Sequence, residues 1–227
     1  MRDDAQLSRV YGYPYPADDD DAPPDRPPAV LPPGCQPVLA FGANASRAVL
    51  RAKLGEHGAA TVSLAAHVQG VDTVYSAHVS PYGAIPATLH PSPGTVLTAR
   101  LLLVDVGLLA RLDATEPNYT REPFDGEVRI DGLGPITAHA YRSRHGPLRL
   151  GGAPIAVRSV PAAGRALRAL GQREVHAAVR DLLEPDVDLD TFVLAGVRDQ
   201  AVRSSRTDRL RCLAGWPSSE GDVRLER

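Results

Sequence analysis

The stretches Val38–Ser46 (VLAFGANAS) and Leu109–Phe124 (LARLDATEPNYTREPF) lie far apart in the chain, and their chemistry makes sense only when they are taken together. The first reads as an apolar strand, Val38 to Phe41, running into Gly42-Ala43-Asn44, where the backbone turns and exposes N–H groups. Glycine lets a ligand approach the main chain closely, and asparagine tolerates left-handed backbone. The second stretch reads as the end of a helix carrying Leu109, Leu112 and Asp113, followed by Glu116 directly before Pro117. A residue before proline is driven out of helical geometry, so Glu116 belongs at the helix end rather than in its body. A carboxylate beside a nest of backbone donors outlines an acid/base site.

Working outward, Ser46 is a suitable N-cap for a short helix through Leu54 with Val49, Leu50 and Leu54 on its apolar face. Thr61–Val68 and Val71–Val79 read as two strands around a Gln69-Gly70 turn, Ile85–Leu89 as a short strand, and Pro91–Gly94 as a further turn. Val96–Val104 is the most continuous apolar strand and is expected to be central. Asp105 caps a helix through Ala114, and Glu127–Ile130 with Ile136–Arg142 form a hairpin. Many short strands interrupted by two helices lack the regular alternation of a parallel sheet, which predicts an α+β fold.

Here the residues carry a resemblance. Phe41-Gly42-Ala43-Asn44 after an apolar strand resembles the Y-G-S-N signature of the gamma-glutamylcyclotransferase-like family. Leu112-Asp113-x-x-Glu116 followed by Tyr119-x-Arg121 resembles its L-D-x-x-E-G…Y-x-R block, and Gly83–Leu89 with Pro91-x-Pro93-Gly94 falls where such proteins carry a strand and a turn. The resemblance spans roughly residues 36 to 145 and implies a small mixed, partly closed β-barrel with flanking helices. It divides the chain into a Pro/Asp-rich tail expected to be disordered (1–34), the barrel domain (35–147), and a connector with a C-terminal helical extension (148–227). In the extension, Gln172–Glu184 and Asp188–Val202 read as amphipathic helices that must pack on the barrel or, as a homodimer, on a second copy. Tyr11, Tyr13 and Tyr15 alternate with Gly12 and Pro14, a pattern that reads as a solvated leader or as a docking motif for a partner.

Composition removes several classes. A formal net charge of -2 gives no bulk electrostatic case for nucleic acid or an anionic membrane. No apolar run is long enough to span a bilayer, and the N-terminus is acidic, so a cytoplasmic location is expected. Cys35 and Cys212 form no metal-binding spacing, and the seven histidines show neither HExxH nor an i, i+4 pair, so no metal or cofactor is expected. No G-x-S-x-G elbow occurs, which weakens a serine hydrolase.

The resemblance implies conversion of a small gamma-glutamyl amine or peptide to 5-oxoproline. The substrate's own α-amine is the nucleophile, and one carboxylate serves as base and then acid. By family position that carboxylate is Glu116. Phe41, Gly42, Ala43, Asn44 and Ala45 form the substrate-binding turn, Tyr119 and Tyr141 line the pocket, and Arg121 orients Glu116 or binds a carboxylate. Two departures bear on the substrate: Pro117 stands where the family has glycine, and Phe41 replaces its tyrosine. The competing expectation is a binding module that keeps the barrel and pocket without turnover. An exposed glutamate at a helix end is ordinarily a solvated charge, so burial of Glu116 in a pocket facing Gly42 separates the two.

Overall fold

A computed structural model describes residues 2–15 and 25–215. In chain order its elements are α1 (Arg2–Tyr11), β1 (Gln36–Ala40), one 3-10 turn (Ala43–Ala45), α2 (Arg47–Leu54), α3 (Glu56–Ala59), β2 (Val62–Tyr75), β3 (Ala87–Val104), α4 (Val106–Ala114), β4 (Tyr119–Ile130) and β5 (Gly134–Ser143). Five two-residue strands follow: β6 (Arg149–Leu150), β7 (Ala153–Pro154), β8 (Ala156–Val157), β9 (Ala162–Ala163) and β10 (Ala169–Leu170). The chain then closes with α5 (Gln172–Leu183), α6 (Leu189–Arg198) and α7 (Gln200–Leu213).

The fold is α+β. Strands β2, β4, β5, β1 and β3 neighbour one another in that order, and β2 pairs back onto β3, so the barrel is fully closed. Only β1 with β5 is parallel within this ring. Strand alternation sorts the side chains into inner and outer sets, because successive ones point to opposite faces. Leu39, Leu64, Val68, Leu97, Leu101, Phe124, Val128 and Ala140 fill the barrel interior. Val38, Ala40, Leu102 and Val104 face outward and are covered by Leu50 and Leu54 of α2 and Leu108, Leu109 and Leu112 of α4. Both helices start where their caps predict: Ser46 Oγ accepts from Val49 N–H and Asp105 Oδ1 from Leu108 N–H.

Two pairs of expected short strands are single long ones. Strand β2 runs through Gln69-Gly70 because Gly70, at φ +78°, forms a bulge rather than a reversal. Opposite it the register jumps from Val96 to Pro91, so Ser92–Thr95 loop out of the ladder. Pro93, which has no N–H to donate, therefore interrupts no pairing.

The N-terminal segment corrects the expectation of a disordered tail. Residues Arg2–Tyr11 are helical, and Leu7, Val10 and Tyr11 lie on one face against the main core. Tyr11 donates to Asp190 of α6 at 2.7 Å beneath the Arg173 guanidinium, and Tyr13 is buried. Mean composition concealed this face. Tyr11, Tyr13 and Tyr15 dock within their own chain; Asp18–Asp21 lie outside the described residues.

The C-terminal helices pack on the barrel core and on α1, with Val175, Val179, Phe192 and Leu210 buried. A break at Asp199, which caps α7, divides the single helix expected from Asp188 to Val202. Arg206 joins the three helices: it donates twice to Glu184 (2.7 and 2.9 Å) and once to the Phe192 carbonyl, and lies 3.7 Å over the Phe192 ring. Trp216 and the final residues lie outside the described part. Among the described residues no helix is long and apolar enough to cross a membrane.

Candidate active site

Strand β1 ends at the rim of the barrel and hands the chain to Phe41 and Gly42, after which Ala43–Ala45 form a single 3-10 turn. The first N–H groups of such a turn, those of Ala43 and Asn44, have no partner within it. Helix α4 ends at Thr115, and Glu116 to Tyr119 form a β-turn closed by Tyr119 N–H to the Glu116 carbonyl at 3.0 Å. Pro117 takes the second position of that turn, where its fixed φ is favourable. Pro117 thus stiffens the presentation of Glu116 and forms part of the cavity wall.

The two segments meet. Glu116, with its side chain only 11% exposed, accepts hydrogen bonds at Oε1 from Asn44 Nδ2 (2.9 Å) and Lys53 Nζ (2.5 Å), and Lys53 also donates to Asn44 Oδ1 (2.8 Å). Among the described residues Oε2 takes no protein hydrogen bond. The carboxylate faces a cavity of about 200 Å³ whose wall includes Phe41, Gly42, Ala43, Asn44, Tyr119 and Tyr141. That is small beside the roughly 300–1,000 Å³ of pockets for drug-sized ligands, and suits a compact ligand.

Not every expected residue arrives there. Ala45 lines a neighbouring cavity instead. Arg121 does not reach Glu116; it clasps both oxygens of Asp113 at 2.9 and 3.2 Å, and Tyr141 donates to the same carboxylate at 2.6 Å. Desolvation opposes ionisation of Asp113, but these two donors outweigh it and hold the carboxyl below its ordinary range. Tyr141 therefore contributes its ring to the cavity while its hydroxyl is committed to Asp113. Tyr119 likewise donates its hydroxyl to the Ala87 carbonyl at 3.0 Å.

Residues beyond the two stretches complete the wall. Tyr13 comes from the segment after α1; its hydroxyl accepts from Ala87 N–H at 2.8 Å and lies where a side chain on Gly42 would be, 2.9 Å from an ideal Cβ. A side chain at position 42 would thus have to displace the Tyr13 hydroxyl. Tyr82, Ser80 and the buried His78 follow β2. Desolvation, with His145 beside it, holds the His78 imidazole well below its ordinary pKa, so the ring is neutral. Sequence reasoning missed Lys53, because a lone lysine on an amphipathic helix ordinarily reads as a solvated face. Its one signal is position: it follows Asn44 on the helix that the turn itself begins.

No protein-family model and no curated protein matches the sequence. Among solved structures the chain is similar to a gamma-glutamyl cyclotransferase, at 17% identity over 48% of this chain and 66% of that one, with a TM-score of 0.41. It is also similar to an uncharacterized Homo sapiens protein (17% identity, 48% and 67% covered, TM-score 0.42) and to an AIG2-like protein from Mus musculus (16%, 48% and 78%, TM-score 0.36).

Proposed function

We propose that the protein is a gamma-glutamylcyclotransferase-like enzyme that converts a small gamma-glutamyl amine or peptide to 5-oxoproline and releases the amine. The observation that carries this reading is Glu116: a nearly buried carboxylate, fixed through one oxygen, whose other oxygen is open beside the Gly42–Asn44 turn. The substrate α-carboxylate lies against the N–H groups of Ala43 and Asn44, donors that do not depend on side-chain identity. Ala43 in place of the family's serine is therefore compatible with binding. Folding the glutamyl group back on itself brings its α-nitrogen to the γ-carbonyl carbon, so the protein supplies proximity rather than a nucleophile.

Glu116 Oε2 takes a proton from the α-ammonium, and the freed amine attacks the γ-carbonyl carbon. The new C–N bond closes the five-membered ring and moves an electron pair onto the carbonyl oxygen. Collapse of that oxyanion restores the carbonyl and breaks the bond to the leaving nitrogen, which takes the proton from Glu116; the ring nitrogen then gives its second proton to the freed carboxylate, which passes it to the departing amine so that it leaves as an ammonium. Lys53 and Asn44 position the carboxylate through Oε1 and leave Oε2 for this exchange.

The second reading, a binding module without turnover, has Lys53 on its side, since the ammonium already engages the carboxylate. The experiment that separates them is 5-oxoproline release from a panel of gamma-glutamyl amines and dipeptides by wild type and Glu116→Gln. Release that collapses in the variant at unchanged melting temperature supports the enzyme. A folded wild type that turns over none of the panel supports the binding module.

A further inference from the structure

We propose that His78, held as the Nε2–H tautomer by a one-way chain of hydroxyl groups, is the hydrogen-bond donor for the carbonyl oxygen of the ligand bound beside Glu116. This deepens the cyclotransferase reading and rests on it for the identity of that carbonyl.

The chain of bonds begins at the main chain. His145 N–H donates to Ser143 Oγ at 3.1 Å; Ser143 Oγ lies 2.6 Å from Ser76 Oγ, and Ser76 Oγ lies 2.7 Å from His78 Nδ1. Each hydroxyl carries one proton. With Ser143 accepting from the main chain, its proton goes to Ser76, and the Ser76 proton goes to Nδ1. The reverse order would make Ser143 accept twice and leave its own proton without an acceptor among the described residues. Nδ1 is therefore the acceptor and Nε2 carries the hydrogen.

The ring is fixed on its other sides. It stacks on His145 at 4.4 Å between centroids and meets Tyr119 edge-on at 5.9 Å, while His145 Nε2 is tied to Asn118 Oδ1 at 3.1 Å. Both nitrogens of His176 and Nδ1 of His145 are sealed in the protein without partners, but Nε2 of His78 is not. Nε2 has no protein partner among the described residues, and His78 stands between the cavity that holds Glu116, Asn44 and Tyr119 and a second one bounded by α7. A fixed, uncharged N–H aimed at a carbonyl oxygen favours the charge that develops there and needs no reorganisation as it does so. No proton leaves His78 in this role.

The test uses the full chain labelled with 15N-histidine. The expected spectrum shows His78 with Nε2 protonated and Nδ1 bare, and a mixture of tautomers in Ser76→Ala. Adding 5-oxoproline, whose ring carbonyl is the former γ-carbonyl, is expected to move the Nε2–H resonance. In turnover, His78→Leu is expected to lose about 10²-fold in kcat with little change in KM. His78→Gln, whose amide offers an N–H in a similar place, is expected to recover most of it. An Nδ1–H tautomer in the wild type, an Nε2–H resonance indifferent to 5-oxoproline, or wild-type kcat in His78→Leu overturns the proposal. If the wild type forms no 5-oxoproline at all, the cyclotransferase reading fails, while the tautomer and the 5-oxoproline titration still decide His78.

Discussion

The cavity has two sides built in different ways. The barrel side is local: the turn after β1 and the turn after α4 each place their groups within a few residues of an element end, and Glu116, Asn44 and Lys53 meet because α2 and α4 cover neighbouring strands. The opposite side is assembled at long range, with Tyr13 delivered from a helix that docks on α5 and α6, and His78 set by serines from β5 and from the segment after β2. The lesson is that the groups around Glu116 come mainly from short motifs, whereas the facing wall depends partly on a segment outside the barrel.

Substitutions on the two sides are expected to separate chemistry from assembly. Glu116→Gln keeps size and removes the carboxylate that the proposed cyclisation uses as proton carrier, so kcat is expected to fall on the order of 10³-fold with an unchanged urea midpoint. Equal loss of stability and activity would break the division.

Across the cavity, Tyr13→Phe leaves Ala87 N–H buried without its acceptor, which is expected to cost about 1–3 kcal/mol in urea unfolding. Gly42→Ala drives a Cβ against the same hydroxyl, and its cost is expected to shrink in a Tyr13→Ala background. Strict additivity of the two would show that they are not in contact.

His176 tests the appendages through pH. Both its ring nitrogens are buried without partners, and desolvation, aided by Arg206, lowers its pKa to about 3. Above the unfolded value of 6.5 neither state is protonated and stability is unaffected. Below it the unfolded chain takes up a proton that the native state refuses, so stability falls from pH 6.5 towards about 3 by about 1.4 kcal/mol per unit. His176→Leu is expected to remove one proton's worth of that slope between about pH 5.5 and 4, read from urea midpoints. An unchanged slope would mean that His176 is protonated in the native state.

The smallest effect belongs to Asp113. Its carboxyl is depressed by Arg121 and Tyr141, but its side chain is 38% exposed, so Asp113→Asn is expected to cost about 0.5–1 kcal/mol. The sign follows from the depressed value: the stabilisation is complete above the ordinary 3.8 and is lost only as pH falls below it. The difference from wild type is therefore expected to be the same at neutral pH and at mildly acidic pH. A large loss of kcat would make Asp113 more than a structural partner.

The same division governs what the sequence revealed. Ser46 and Asp105 announced their helices because a cap is a local signal, and Glu116 stood out because Pro117 marks the helix end. Gly70 and Pro91–Gly94 misled, since a glycine that permits a turn equally permits a bulge, and only the facing strand decides between them. Lys53 carries only its place on the helix after Asn44, and His78 no local mark at all, because their roles exist only once α2 lies beside the Glu116 turn and β5 beside the end of β2. Tyr13 was visible as a residue but not as part of the cavity, since its place depends on α1 docking against helices nearly the whole chain away.

The central claim, that Glu116 serves an intramolecular cyclisation, is tested most directly by turnover of a gamma-glutamyl amine in 18O-labelled water. The account predicts equimolar amine and 5-oxoproline, with no solvent oxygen in the 5-oxoproline and loss of both products in Glu116→Gln. Release of glutamate bearing one solvent oxygen would mean that water, rather than the substrate's own amine, is the nucleophile, and would contradict it.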